Sequence, residues 1–125
     1  GRVAKLEKPM QFGELLDCIK KNLNMEHIRY VGDETGIIQK VAVCNGGGAD
    51  LIYDAYGRGA EVYISGDLKY HHARHAYENK LCLVEVPHYE AEIIFCRYLA
   101  KSLTEYFKER CEFVVYENQN PWNVR

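Results

Sequence analysis

A chain of 125 residues with 47% hydrophobic residues and a formal net charge of -2 can bury one compact core, and its near-balanced charge gives no long-range attraction for nucleic acid or an anionic membrane. No apolar run reaches the roughly 20 residues that span a bilayer, and no basic start leads into an apolar stretch as in a secretory signal. The expectation is a single cytoplasmic domain that neither enters a membrane nor binds nucleic acid. The five cysteines, Cys18, Cys44, Cys82, Cys96 and Cys111, are single and odd in number; without a C-x-x-C pair they read as reduced, mostly buried small hydrophobes, not as a disulfide framework or zinc knuckle.

In chain order, residues 11–24 place Phe12, Leu15, Leu16, Ile19 and Leu23 at helical spacing, and residues 37–44 follow as a strand ending in "VAVC". The run Asn45-Gly46-Gly47-Gly48 breaks it. Leu51, Ile52 and Ala55 predict a helix closed near residues 57–59, before a strand over 61–65. Gly66 and Asp67 interrupt again, a third helix is expected over about 68–78, and "LCLVEV" at 81–86 is the next strand, ended by Pro87. The longest helix, about 89–108, lines up Ile94, Tyr98, Leu103 and Phe107 along one side, and "CEFVVYE" at 111–117 reads as a last strand. Repeated strand-helix-strand units predict an α/β fold: one domain with a mainly parallel mixed sheet flanked by helices.

Three successive strands stop at polar or glycine-rich turns, "NGGGAD", "SGDLKYHH" and "PHYEAE". Ligand crevices of open parallel sheets lie at the carboxyl ends of the strands, so the three turns are expected to share one edge. Each also has a plain structural reading. Gly46, Gly47 and Gly48 form either a turn able to bind an anion through backbone N–H groups or a tight turn open only to glycine; the lysine of a P-loop and the full G-x-G-x-x-G spacing are missing. Asp67 is either a cleft residue or the N-cap of the third helix. His71 and His75 are an i, i+4 pair without the H-E-x-x-H glutamate, and His72 points away from them; surface positions account for two of the three histidines, and His71, in the first turn, is the one nearest the expected crevice.

In "VEVPHYEAE" the spacing is more pointed. His88 and Glu92 stand four residues apart at the start of a helix and present an imidazole nitrogen and a carboxylate to one place, as a divalent ion with mixed ligands requires. Glu90 lies about 200° round the helix and cannot join them. The competing reading is an ordinary helix start whose glutamate is favoured by the helix dipole.

The run "GAEVYISGDLKYHHARHAYENKLCLVEVPHYEAE" resembles the closing signature of the Nif-three-like family of dinuclear-metal proteins, also called GTP cyclohydrolase 1 type 2 homologues. "GRVAKLEKPMQFGELLDCIKKNLN", "VAVCNGGGADLI" and "NQNPWNVR" are similar to its other segments. Pro87 stands for the family's glycine and Ser65 for its threonine. The resemblance implies that His88 and Glu92 are metal ligands and that Asp67 and His71 line the metal cleft or support the ligands. It implies that residues 1–125 are the C-terminal α/β half, lacking the upstream half with its His-His pair and aspartate. It further implies two divalent ions (zinc, manganese, iron or magnesium) per full-length protomer, held weakly or not at all by this half alone. Metal-dependent hydrolysis of a small-molecule or nucleotide substrate and a homo-oligomeric parent are the functional expectations. The alternatives are a non-catalytic interaction or oligomerisation module, and a nucleotide-binding domain built on the glycine turn.

Overall fold

The computed structural model describes residues 1–117 and 119–122. Five strands, β1 (Arg2–Gln11), β2 (Arg29–Val31), β3 (Ile37–Val43), β4 (Val62–Ser65) and β5 (Cys82–Glu85), form one sheet in the order β1-β3-β4-β5-β2. The central β3, β4 and β5 run parallel, and β1 and β2 close the two edges antiparallel. Four helices flank the sheet: α1 (Phe12–Leu23), α2 (Ile52–Gly57), α3 (Tyr70–Glu78) and α4 (His88–Phe107). The α/β domain predicted by the alternation of elements is the one observed.

Strand alternation sorts the core into two layers. Val62 and Val84 meet Phe12, Leu15 and Leu16 of α1 and Ala91 of α4, while Tyr63 and Leu83 turn to the other face, against Ile52 and Ala55 of α2 and Ala76 of α3. Helices α2 and α3 belong to consecutive crossovers running the same way along the sheet, so the shared handedness of such connections puts them on one face. In β3 the period of two is broken: Ile38 and Val41, three positions apart, both face α1. Between them the N–H groups of Gln39 and Lys40 both donate to the Glu61 carboxylate, at 2.6 and 2.7 Å, as happens where a bulge turns consecutive amides the same way. Beside it the register shifts between Lys5 and Met10, with residues 6–9 of β1 standing against Gln39 alone, and Pro9, which has no N–H to give, falls in this gap.

Several expectations are corrected. β1 and β2 were not anticipated: β1 is an edge strand interrupted by Lys5, Glu7, Lys8 and Pro9, and β2 has three residues, too few for a pattern. Segment 111–117 is not a strand. It is extended at Cys111 (φ -144, ψ 145) and runs back along α4, held by Arg97 donating to Glu117 at 2.6 and 3.0 Å and by Phe113 against Phe107. Its β-prone side chains find no free strand edge beside them. On α4 only Ala91 is buried, and Ile94 and Tyr98 of the expected apolar side are 44% and 69% exposed. All five cysteines are free, but Cys18, Cys96 and Cys111 are exposed, so most are not core residues. Of the segment "NQNPWNVR", residues 118 and 123–125 lie outside the described residues. Among the described residues no helix is long and apolar enough to cross a membrane.

Candidate functional site

The carboxyl ends of β3, β4 and β5 meet backbone to backbone. The Gly46 carbonyl accepts from Gly48 N (2.9 Å), Gly66 N (2.9 Å) and, more weakly, Ser65 Oγ (3.3 Å), and Val86 N donates to Ser65 O (2.9 Å). Two side chains buried on β4 fix the shape of the glycine turn: Ser65 Oγ accepts from Gly48 N at 3.1 Å, and the Tyr63 hydroxyl donates to the Gly48 carbonyl. Burial pushes the Tyr63 pKa up, so the group remains a donor at neutral pH. A Cβ on Gly66 would come within 2.8 Å of Val86 O and 3.0 Å of Gly46 O, which explains why a residue without one stands there.

This packing brings together residues far apart in the sequence. Asp67 follows β4 in a left-handed conformation (φ 54), which Asp tolerates better than most residues. Its Oδ1 lies 3.1 Å from His88 Nδ1, on the first residue of α4. An ionised carboxylate can only accept, so the proton of that bond sits on Nδ1, and the lone pair of the neutral ring is left on Nε2. Glu92 Oε1 stands 4.0 Å from Nε2. Bounding the gap is Gly46, with φ 68, where a Cβ would lie 3.1 Å from His88 Nε2 and 3.5 Å from Glu92 Oε1. A Cβ on the neighbouring Gly47 would lie 3.3 Å from Asp67 Oδ2. The glycines therefore keep open the space in front of the imidazole and carboxylate. All three polar side chains remain solvent-accessible.

The donor set fits a divalent cation: a neutral imidazole, a carboxylate, a second carboxylate holding the far ring nitrogen, and a cradle that any side chain at position 46 would fill. Ligand atoms bonded at about 2.0–2.2 Å stand about 3.0–3.6 Å apart at octahedral or tetrahedral angles, so the pair, 4.0 Å apart, would close by about half an ångström onto an ion. Among the described residues no group of three or more His, Cys, Asp or Glu is arranged to hold a metal on its own, so an ion held by this pair would need further ligands from other groups.

Other sequence candidates lie elsewhere. Asp67 does not cap α3; that position belongs to Lys69, whose N–H donates to His72 Nδ1 at 3.0 Å. His72, expected at the surface, is only 4% exposed, and burial, with a smaller contribution from His71, lowers its pKa from 6.5. The His71 ring packs on that of His72 at 4.0 Å; it has no hydrogen bond or ion pair to Asp67, His88 or Glu92 among the described residues. His75 lies between Tyr53 and Tyr56, with ring centroids 4.5 and 6.2 Å away. Glu90 accepts from Asn120 at 2.9 Å. The bonds that Asn45, Tyr63 and Ser65 make to the turn and to α4 leave no signal in the sequence, since polar residues at strand ends look like ordinary turn or strand positions.

The family model described as Duf34/NIF3 (NGG1p interacting factor 3) matches residues 1–121. The chain belongs to the DUF34/NIF3 family. A "GTP cyclohydrolase 1 type 2 homolog" of Clostridium perfringens is 33% identical over 115 residues, which cover 92% of this chain and 44% of that protein. A protein of the same name in Campylobacter jejuni is 38% identical over 98 residues, covering 78% of this chain and 39% of its own length. Among solved structures, a Bacillus cereus protein related to NIF3 superposes with a TM-score of 0.84 at 28% identity, covering 98% of this chain and 35% of that one. This DUF34/NIF3 chain thus spans less than half the length of these relatives.

Proposed function

We propose that the chain is the C-terminal part of a dinuclear metal-dependent hydrolase-like protein and contributes His88 and Glu92 as metal ligands. One observation carries the reading: His88 Nε2 and Glu92 Oε1 face a common space 4.0 Å across, kept open by Gly46, while Asp67 holds the opposite ring nitrogen at 3.1 Å. Asp67 fixes the ring and its tautomer, making the imidazole a better donor. The glycine turn admits the ion and leaves room for a substrate above it. When bound, a divalent ion supplies Lewis acidity and water activation near neutral pH. The relatives' shared name points to GTP as the substrate class, and the remaining ligands belong to the part of the relatives' length that this chain does not span. In the full-length parent, His88→Ala and Glu92→Gln should each lower metal content and hydrolysis together, while Glu90→Gln, whose carboxylate is engaged with Asn120, should spare both. Equal losses from Glu90→Gln and Glu92→Gln would remove Glu92 from the ligand set.

A second reading, an interaction or assembly module, is favoured by the exposed apolar side chains of α4 and the segment after it: Phe95 is 58%, Tyr98 69% and Tyr116 84% exposed. Metal-independent self-association, with no turnover by the metal-loaded parent, would favour it.

A further inference from the structure

Asn45 stands where β3 gives way to the glycine turn. Its side-chain amide donates to the carbonyl of Ala91 at 3.3 Å, across 46 residues of chain. The acceptor belongs to the residue immediately before Glu92, in the turn of α4 that follows His88. The link is partly buried, so water competes for it less than at an open surface. Within α4 only Ala91 is buried, with Tyr89 and Ile93 half-buried. At its amino-terminal turns, the bonds of Asp67 with His88 and of Asn120 with Glu90 hold other residues, whereas the Asn45 amide ties the backbone beside Glu92 to the glycine turn. Immediately after Asn45 the chain turns through Gly46 at φ 68, and Gly46 is the residue whose missing side chain leaves space for His88 and Glu92. One amide thus joins the floor of the cradle to the helix that carries both ligands.

Building on the metal-ligand reading above, we infer that Asn45 is a positioning residue that sets the spacing between Glu92, His88 and the Gly46 cradle. It makes no contact with the ion. A backbone carbonyl has two lone pairs, so Ala91 can accept from Asn45 while keeping its place in the helix. Without the amide, the amino-terminal turns of α4 lose their directional tie to the end of β3, and Glu92, further along the helix than His88, is freed more. His88 keeps its own anchor in Asp67.

The test uses the isotopically labelled chain with Mn2+ added to millimolar concentration, reading paramagnetic broadening of the amide signals together with the thermal midpoint. In the unsubstituted chain, Gly46, Gly47, Asp67, His88 and Glu92 should broaden first. Asn45→Ala should weaken the apparent affinity about three- to tenfold, the size expected for one hydrogen bond. It should also lower broadening at Glu92 relative to His88, a change of ratio that general loosening of the fold does not produce. Asn22→Ala removes an amide whose side-chain hydrogen bonds among the described residues stay within α1, to Cys18, and should change neither. If the unsubstituted chain binds at His88 and Glu92 and Asn45→Ala keeps the same affinity and ratio, the inference fails and the ligand reading stands. A lower midpoint with an unchanged ratio makes Asn45 merely structural and also overturns it. Absence of broadening around His88 and Glu92 in the unsubstituted chain overturns the ligand reading, and the inference with it.

Discussion

Asp67 is the residue on which the geometry of the site turns. Its left-handed backbone aims the carboxylate back at His88 Nδ1, and Asn can adopt the same backbone while offering no charge to the ring. Asp67→Asn should therefore leave the fold intact and weaken Mn2+ binding about 10- to 100-fold, the usual cost of losing the group behind a metal-bound histidine; calorimetry on the full-length parent measures it, and unchanged affinity would separate Asp67 from the site. His72 shows a histidine in a different role. Burial lowers its pKa from 6.5, and its neutral Nδ1 accepts the Lys69 N–H. The unfolded chain takes up this proton first, so the stability contributed by neutral His72 is complete above about 6.5 and is lost as the pH falls through the lowered folded value. Glu61 acts further down the scale: hydrogen bonds from the Lys40 and Gln39 amides lower its pKa from 4.5, so its contribution is lost as the pH drops below about 4.5. In denaturant melts against pH, His72→Gln should flatten the limb just below 6.5 and leave the more acidic limb in place; an unchanged upper limb would show that His72 is not the group titrating.

At the scale of elements, the core and the site are energetically separate. Phe12 is fully buried where α1 meets the sheet, and Phe12→Ala should cost about 3–5 kcal/mol through cavity formation. His88→Ala, at an open rim, should cost less than about 1 kcal/mol. Denaturant unfolding compares the two, and a loss of several kcal/mol from His88→Ala would make the histidine a structural one. What could be read from the sequence follows the same division. The parallel centre and its helices were legible because β3, β4 and β5 carry the short apolar runs VAV, VYI and CLV, each soon followed by Gly, Asp or Pro, and because turns at the carboxyl ends of parallel strands must converge. The edges were not: β1 carries charges and a proline on an exposed strand, and its pairing with β3 passes through a register shift between Lys5 and Met10 that no local pattern announces. "CEFVVYE" misled in the opposite direction, since β propensity describes a side chain's fit to a sheet and does not supply the neighbouring edge. That His88 and Glu92 come close on one helix face was legible from their spacing, but the bond between Asp67 and His88 and the tie from Asn45 to Ala91 depend on tertiary register.

For the whole molecule, the chain is one α/β unit with helices on both faces of its sheet, spanning less than half the length of its DUF34/NIF3 relatives. Its site is open, and its longest helix offers a largely uncovered face. If His88 and Glu92 are the direct ligands proposed above, the chain should bind Mn2+ weakly and retain none of it tightly after dialysis. The most direct measurement is anomalous diffraction from crystals of the chain soaked in Mn2+. The predicted result is a peak bounded by His88 Nε2, Glu92 Oε1 and the bare face of Gly46, absent from crystals of Glu92→Gln. No peak in that space, or one that survives Glu92→Gln unchanged, would contradict the assignment of His88 and Glu92 as a ligand pair.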